Sequence, residues 1–189
     1  MFKKTDKRLA QQALKGSSNA WLALVKRHEK KVFHYGLRML PSADDAMDLV
    51  QETFTSVFKG LHSWNHANAF SSWLMTIAHR RCVEYYRRRK NDDGWNLEEH
   101  DLPDDSAHTS PEHCVSFGQQ QEQIIAALQR LPFEQRAVVE AKFFRQLTTR
   151  EIAEQQGESE NTVKSRLYAG LEKLKVYLED VYEQAIVDC

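Results

Sequence analysis

Between Asn91 and Phe117 the helical periodicity of apolar residues stops, and no other feature limits the possible folds so strongly. The stretch holds Pro103, Pro111 and Asp-Asp pairs, and residues 91–120 carry eight acids with no Lys or Arg. Such a segment reads as a solvated acidic linker, not as part of a core. The residues on either side must then bury their apolar faces separately. A chain of 189 residues suits two small domains, each with a modest core.

Both flanking blocks read as helical. Gly and Pro number only seven and four in the whole chain, and helix formers fill the runs between them. Trp21, Leu22, Val25, Val32 and Phe33 form an apolar stripe that ends before Pro41. Ser42 is a candidate cap for a second helix bearing Ala46, Leu49, Val50, Phe54, Val57, Phe58 and Leu61. After the loop HSWNHAN a third helix starts near Phe70 and runs into RRCVEYYRRRK. Beyond the linker, QQQEQIIAALQRL is broken by Pro132, and Phe133 opens a helix reaching about Phe144. Two more follow, separated by Gly157. The expected fold is all-α, with a helical domain over 1–90, a linker over 91–120 and a second helical domain over 121–189.

Charge is distributed unevenly along this frame. Residues 1–40 hold ten Lys/Arg against two acids, and residues 41–58 hold four acids with no Lys/Arg. Residues 79–90 hold six Lys/Arg against Glu84 alone. The pattern implies at least one surface facing a polyanion and one facing a basic partner. Cys82, Cys114 and Cys189 are scattered, which suits a reducing compartment. The N-terminal run MFKKTDKRLAQQALKG lacks the apolar core of a signal peptide, and no stretch approaches a membrane span. A cytoplasmic location without membrane insertion is expected.

The segment TTREIAEQQGESENTVKSRLYAGLEKL has helix-turn-helix spacing. Ala153 is the small residue facing a partner helix, Gly157 tolerates the turn, and Val163 packs inward. Ser159 or Asn161 can cap the second helix. That helix offers Thr162, Lys164, Ser165, Arg166 and Tyr168 near its start, where such helices meet bases and phosphates. Against this stand Gln156 and Glu158, polar at turn positions that usually pack. The residues alone fit either a DNA reader or a helical hairpin with a solvated charged face.

Over about fifty residues, LPFEQRAVVEAKFF followed by LTTREIAEQQGESENTVKSRLYAGLEKLK resembles region 4 of the extracytoplasmic-function sigma factors. The resemblance implies that this domain reads a −35 promoter element from the major groove, with Lys142, Lys164, Ser165, Arg166 and Tyr168 at matching positions. Gln146 departs from the glycine usual there.

The N-terminal block extends the likeness. In DDAMDLVQETFTSVF, Asp44, Asp48 and Glu52 stand four apart on one helix face with Gln51 beside them. A solvated acidic face is the plain reading. The run also resembles region 2.2 of the family, which implies that Asp44, Asp48, Gln51 and Glu52 dock core RNA polymerase at its β′ clamp coiled coil. HSWNHANAFSSWLMTIAHRRCVEYYRRRK then sets clustered Arg beside aromatics, chemistry suited to a single strand. It resembles regions 2.3 and 2.4, which implies capture of a melted −10 element by Trp64, Asn65, Arg80, Arg81, Tyr85, Arg87 and Arg88. One base would turn out into the loop at about His62 to Asn68.

Phe70, Trp73, Leu74 and Ile77 follow core spacing. Trp64, on the loop, has less reason to be buried, and Tyr85 and Tyr86 fit either role. Arg80 and Glu84 replace the usual Asn and Asp, leave the preferred −10 base open, and could pair at i, i+4.

The chain carries no Gly-rich phosphate loop, HExxH or GxSxG pattern, so no enzyme activity and no cofactor are expected. His100, His108, His113 and Cys114 fit no common zinc spacing, and no metal site is expected. The resemblance implies core polymerase, promoter DNA and an anti-sigma factor as partners. The rival reading is a stand-alone helix-turn-helix transcription regulator, which would have no use for the Asp44–Glu52 face.

Overall fold

The computed structural model describes residues 4–65, 68–93 and 119–187, with backbone alone for 90–93, 119–120 and 180–187. Expectations for the acidic linker's interior, for its histidines and Cys114, and for Cys189 lie outside the described residues. The chain divides into two compact units, Met1–Arg88 and Arg89–Cys189. Every regular element among the described residues is helical.

The first unit contains α1 (Asp6–Leu14), α2 (Ser18–Met39), α3 (Ala43–Gly60), a 3₁₀ turn (Leu61–Ser63) and α4 (Phe70–Asp93). Each early boundary has a side-chain cap. Thr5 accepts from Arg8 N, Ser17 from Ala20 N, and Ser42 from Asp45 N at 3.1 Å. These bonds satisfy amides that the first helical turn leaves without partners. Helix α1 is a segment that sequence periodicity did not single out. It packs on α2 through Leu9 and Ala10.

Gly36 sets the crossing of α2 and α3. A Cβ there would stand 2.8 Å from Ala46 Cβ and 2.9 Å from its Cα, so only glycine permits this approach. Helix α4 runs in the same direction as α2. Lys31 Nζ donates to Ser71 Oγ at 2.6 Å, and Tyr35 Oη lies 3.0 Å from His79 Nδ1. Tyr86 Oη donates at 2.7 Å to the carbonyl of Met39, which ends α2.

The core departs from the expected apolar stripes in three places. In α2 the buried line is Ala20, Leu24, His28, Val32 and Tyr35, while Leu22 is exposed. Two of those positions are polar: His28 sits 3.0 Å from Asp6 Oδ2, and Tyr35 meets His79. In α3 the buried line is Ala46, Leu49, Thr53 and Val57 with Phe54. Phe58 lies one residue, about 100°, round from Val57 and is 63% exposed, so it is not core. Val50 is half-buried. In α4 the buried line steps by four through Phe70, Leu74, Ala78, Cys82 and Tyr86, leaving Trp73 and Ile77 half-buried at its edge.

The second unit contains α5 (Gln119–Gln129), α6 (Phe133–Phe143), α7 (Thr149–Gln156) and α8 (Glu160–Val187). Leu128, Leu131, Val138, Val139, Ala141, Ile152, Ala153, Val163 and Leu167 form its core, with Leu171, Leu174 and Tyr177 packed against it. Arg136 is buried and donates to the carbonyls of Leu131 (2.8 Å) and Gln129 (3.0 Å). An arginine close behind the Leu-Pro pair thereby satisfies carbonyls at the end of α5.

Candidate nucleic-acid and partner interfaces

Thr148 and Glu151 close a capping box on α7: Glu151 Oε2 accepts from Thr148 N at 2.8 Å, and Thr148 Oγ1 accepts from Glu151 N at 3.2 Å. The Thr148 amide, and then the Thr148 hydroxyl donating to the same oxygen at 2.7 Å, hold the Glu151 carboxyl below its usual range. Gly157 ends α7 with φ of 71°, in the left-handed region. Ser159, not Asn161, caps α8, accepting from Thr162 N at 3.0 Å. Gln146 adopts φ of 58°, so the departure from glycine leaves the turn intact, with a strained non-glycine residue in it. Arg145 closes the same turn with a bond to the buried Glu140 at 2.8 Å and another to Gln155 at 2.8 Å.

On this frame Ser165 and Tyr168 are exposed, Tyr168 at 66%. Lys164 is exposed and pairs with Glu160 at 3.1 Å. Thr162 and Lys142 are half-buried, and the Thr162 hydroxyl is bonded to Ser159. Arg166 does not project alone. It lies 3.2 Å from Glu134 and 3.4 Å from Glu158. Asn161, weighed from sequence only as a cap, stands exposed in the first turn of α8 beside Thr162. Its position two residues beyond the Ser159 cap is the available signal.

In the first unit, Asp44, Asp48, Gln51 and Glu52 are all exposed along α3, with Met47 exposed among them. Glu52 lies 3.8 Å from Arg88. Along α4, Arg80 and Arg87 are exposed and make no ion pair among the described residues. The expected Arg80–Glu84 pair does not form. Glu84 is taken instead by Arg88 at 2.9 Å and Arg81 at 2.7 Å, which hold its carboxyl below the usual range. Arg81 also donates to Ser56 Oγ at 3.0 Å, so it joins α4 to α3.

Trp64 is buried, against expectation. Its ring meets Phe70 edge-on at 5.1 Å and stacks over Trp73 at 6.3 Å, and its Nε1 donates to the Asn68 carbonyl at 3.2 Å. The physical reason is the indole N–H, which finds a backbone acceptor in the loop and lets the large ring leave water. Trp64 therefore closes the base of the loop, while Asn65 is exposed. Tyr85 is half-buried against Tyr86. No group of three or more His, Cys, Asp or Glu among the described residues could hold a metal.

An acidic helix face and a basic-aromatic helix in one unit, with a capped helix-turn-helix in the other, define a promoter-recognition subunit of RNA polymerase. The family model for Sigma-70 region 2 matches residues 24–91, and that for Sigma-70, region 4 matches residues 121–174. The chain belongs to the sigma-70 family, in its extracytoplasmic-function group. It is 26% identical over 185 residues to the ECF RNA polymerase sigma factor SigW of Bacillus subtilis, covering 93% of this chain and 97% of that protein. It is 30% identical to the ECF RNA polymerase sigma factor SigL of Mycobacterium tuberculosis, covering 84% of this chain and 89% of that one.

The fold is shared with two solved structures, each 21% identical. CnrH, solved with the cytosolic domain of CnrY, matches with a TM-score of 0.63 over 94% of this chain and 99% of that one. The sigma factor RpoE from Bartonella quintana, solved with the anti-sigma factor NepR, matches with a TM-score of 0.62 over 84% and 94%.

Proposed function

We propose that this sigma factor docks core RNA polymerase through the exposed α3 face of Asp44, Asp48, Gln51 and Glu52, and directs initiation from promoters it reads at two places. The observation that supports this best is the joint exposure of that acidic face and of the start of α8. A stand-alone regulator needs only the second. In this reading residues 1–90 dock polymerase and hold the melted −10 strand, residues 91–120 link, and residues 121–189 read the −35 element.

On α8, Lys164, Ser165 and Tyr168 approach the major groove directly, with Thr162 and Lys142 beside them. Arg166 joins them after leaving Glu134 and Glu158. At the −10 element, Arg80 and Arg87 hold phosphates, and these contacts contribute affinity and salt dependence without base choice. Asn65 lines the base-receiving loop. Tyr85 borders the strand. Arg81 and Arg88 steady α4 through Glu84 and reach the strand from there. Trp64 supports the loop from beneath.

The chain has no chemistry of its own in this reading; the polymerase makes RNA, in the cytoplasm. No helix among the described residues is long and apolar enough to cross a membrane. A partner of the anti-sigma kind would keep it idle, as the two complexes with similar folds suggest.

The test is retention on immobilised core polymerase, comparing wild type with Asp48→Ala/Glu52→Arg. Clear loss is expected, and equal retention would sink the docking claim. Run-off transcription with purified chain and core enzyme separates a sigma factor, which yields promoter-specific transcripts, from a regulator, which yields none.

A further inference from the structure

The buried line of α2 is apolar at Ala20, Leu24 and Val32, yet His28 stands in the middle of it. A leucine would fill such a place without the cost of drying a polar ring, so what the imidazole adds is direction. Its Nε2 lies 3.0 Å from Oδ2 of Asp6, in the first turn of α1. Its ring lies against Phe70, the first residue of α4, with centroids 5.2 Å apart. His28 thereby joins α1, α2 and α4 at one point.

Phe70 begins a run of aromatic contacts that ends in the loop. Its ring meets Trp64 edge-on at 5.1 Å and Trp73 at 5.7 Å, and Trp64 stacks over Trp73 at 6.3 Å. Trp64 Nε1 then donates to the Asn68 carbonyl. Aromatic pairs hold preferred tilts at these separations, so turning one ring displaces the next. The order is Asp6, His28, Phe70, Trp64 and Asn68, and each step is a directed contact.

Two more contacts tie the same corner. Helix α1 packs against the 3₁₀ turn Leu61–Ser63, which opens the loop, as well as against α2. Lys31, one turn beyond His28, donates to Ser71 Oγ at 2.6 Å, beside Phe70. Helix α1 thus reaches the loop at both ends, directly at Leu61–Ser63 and through His28 where α4 begins at Phe70. Fastening α1 for stability needs only the buried Leu9 and Ala10. It does not need a carboxylate that orients a ring against the aromatic base of the loop.

We propose that His28 and Asp6 are positioning residues for capture of the turned-out −10 base, setting Phe70 and Trp64 as a fixed floor beneath the loop. This rests on the reading of that loop as the base-receiving site. Neither residue touches DNA; both act through Phe70 and Trp64. A floor set in advance spares the captured base the cost of ordering it.

The experiment measures binding of the holoenzyme to the nontemplate strand of a promoter that yields a run-off transcript. The strand is intact or carries one abasic site, placed at each position in turn. Where the captured base is missing, wild type should bind about tenfold more weakly. His28→Gln keeps a polar group toward Asp6 and loses the ring against Phe70. In that variant the ratio should fall to about twofold, with affinity for the abasic strand unchanged. Asp6→Ala, at the partly exposed end of the series, should lower the ratio in the same direction. Gly36→Ala, which disturbs the same unit at the α2–α3 crossing, should keep it.

A full ratio in either His28→Gln or Asp6→Ala overturns the positioning role and leaves base capture standing. No position with such a penalty in wild type overturns base capture, and the positioning role with it. A ratio that falls equally in Gly36→Ala shows the loss to follow stability, and this too overturns the positioning role.

Discussion

Gln156 is a half-buried residue whose Oε1 and Nε2 are both shielded from water and have no hydrogen-bond partner. A buried amide left unpaired costs more than an apolar group of similar shape in the same place. Gln156→Leu should therefore raise the stability of the second unit by about 1 kcal/mol, read from denaturant midpoints at unchanged slope. Sequence reading finds Gln156 out of character for a packed turn position, and the structure explains why: the side chain is packed without being satisfied.

Gln146 behaves otherwise. Sequence marks it as a departure from glycine, but only the backbone reveals a φ of 58° held by the Glu140–Arg145–Gln155 bonds around it. His28 was invisible to an apolar pattern because it is polar, although it sits in the middle of the buried line of α2. Its lowered pKa has a definite sign. As pH falls through the ordinary value of 6.5, the unfolded chain takes up a proton there while the folded chain resists, so stability declines. The thermal midpoint of the wild-type chain should drop between about pH 7.5 and pH 5.5. His28→Gln should drop less, keeping the part due to His34, which shifts the same way.

Elements were easier to read than the faces they bury. Ser42, Pro132 and Gly157 punctuate the chain as expected, because caps and turns depend on residues within one helical turn. Which side of α3 turns inward depends on α2, and no local pattern contains that. Hence Phe58 lies outside and Val57 inside, although both are apolar. The α2–α3 crossing is decided at Gly36. Gly36→Ala puts a methyl group against the backbone of Ala46, and such overpacking costs about 1–3 kcal/mol. Circular dichroism during thermal unfolding should show the first unit melting earlier with the second unchanged. The proposed docking face rides on α3, so retention on core polymerase should weaken with it.

Each unit closes its own core, around Leu24, Tyr35 and Leu74 in one and Leu128, Val138 and Ile152 in the other. Chains of residues 1–93 and 119–189 made separately should each fold, and their summed helical signal should match that of the intact chain over the same residues. A fragment that stays unfolded would show that the cores depend on each other. For the molecule as a whole, the proposed role of α8 gives the ties on Arg166 a consequence for how a chromosome is searched. Glu134 and Glu158 hold this arginine at 3.2 and 3.4 Å, and any stretch of DNA must compete with both carboxylates to draw it away. Random sequence offers only phosphates in exchange, whereas a matching site adds base edges. A helix that reads the −35 element as proposed would therefore dwell briefly on wrong sequence and scan quickly. Replacing the two acids should lengthen its stay on every site alike and blunt its choice among them.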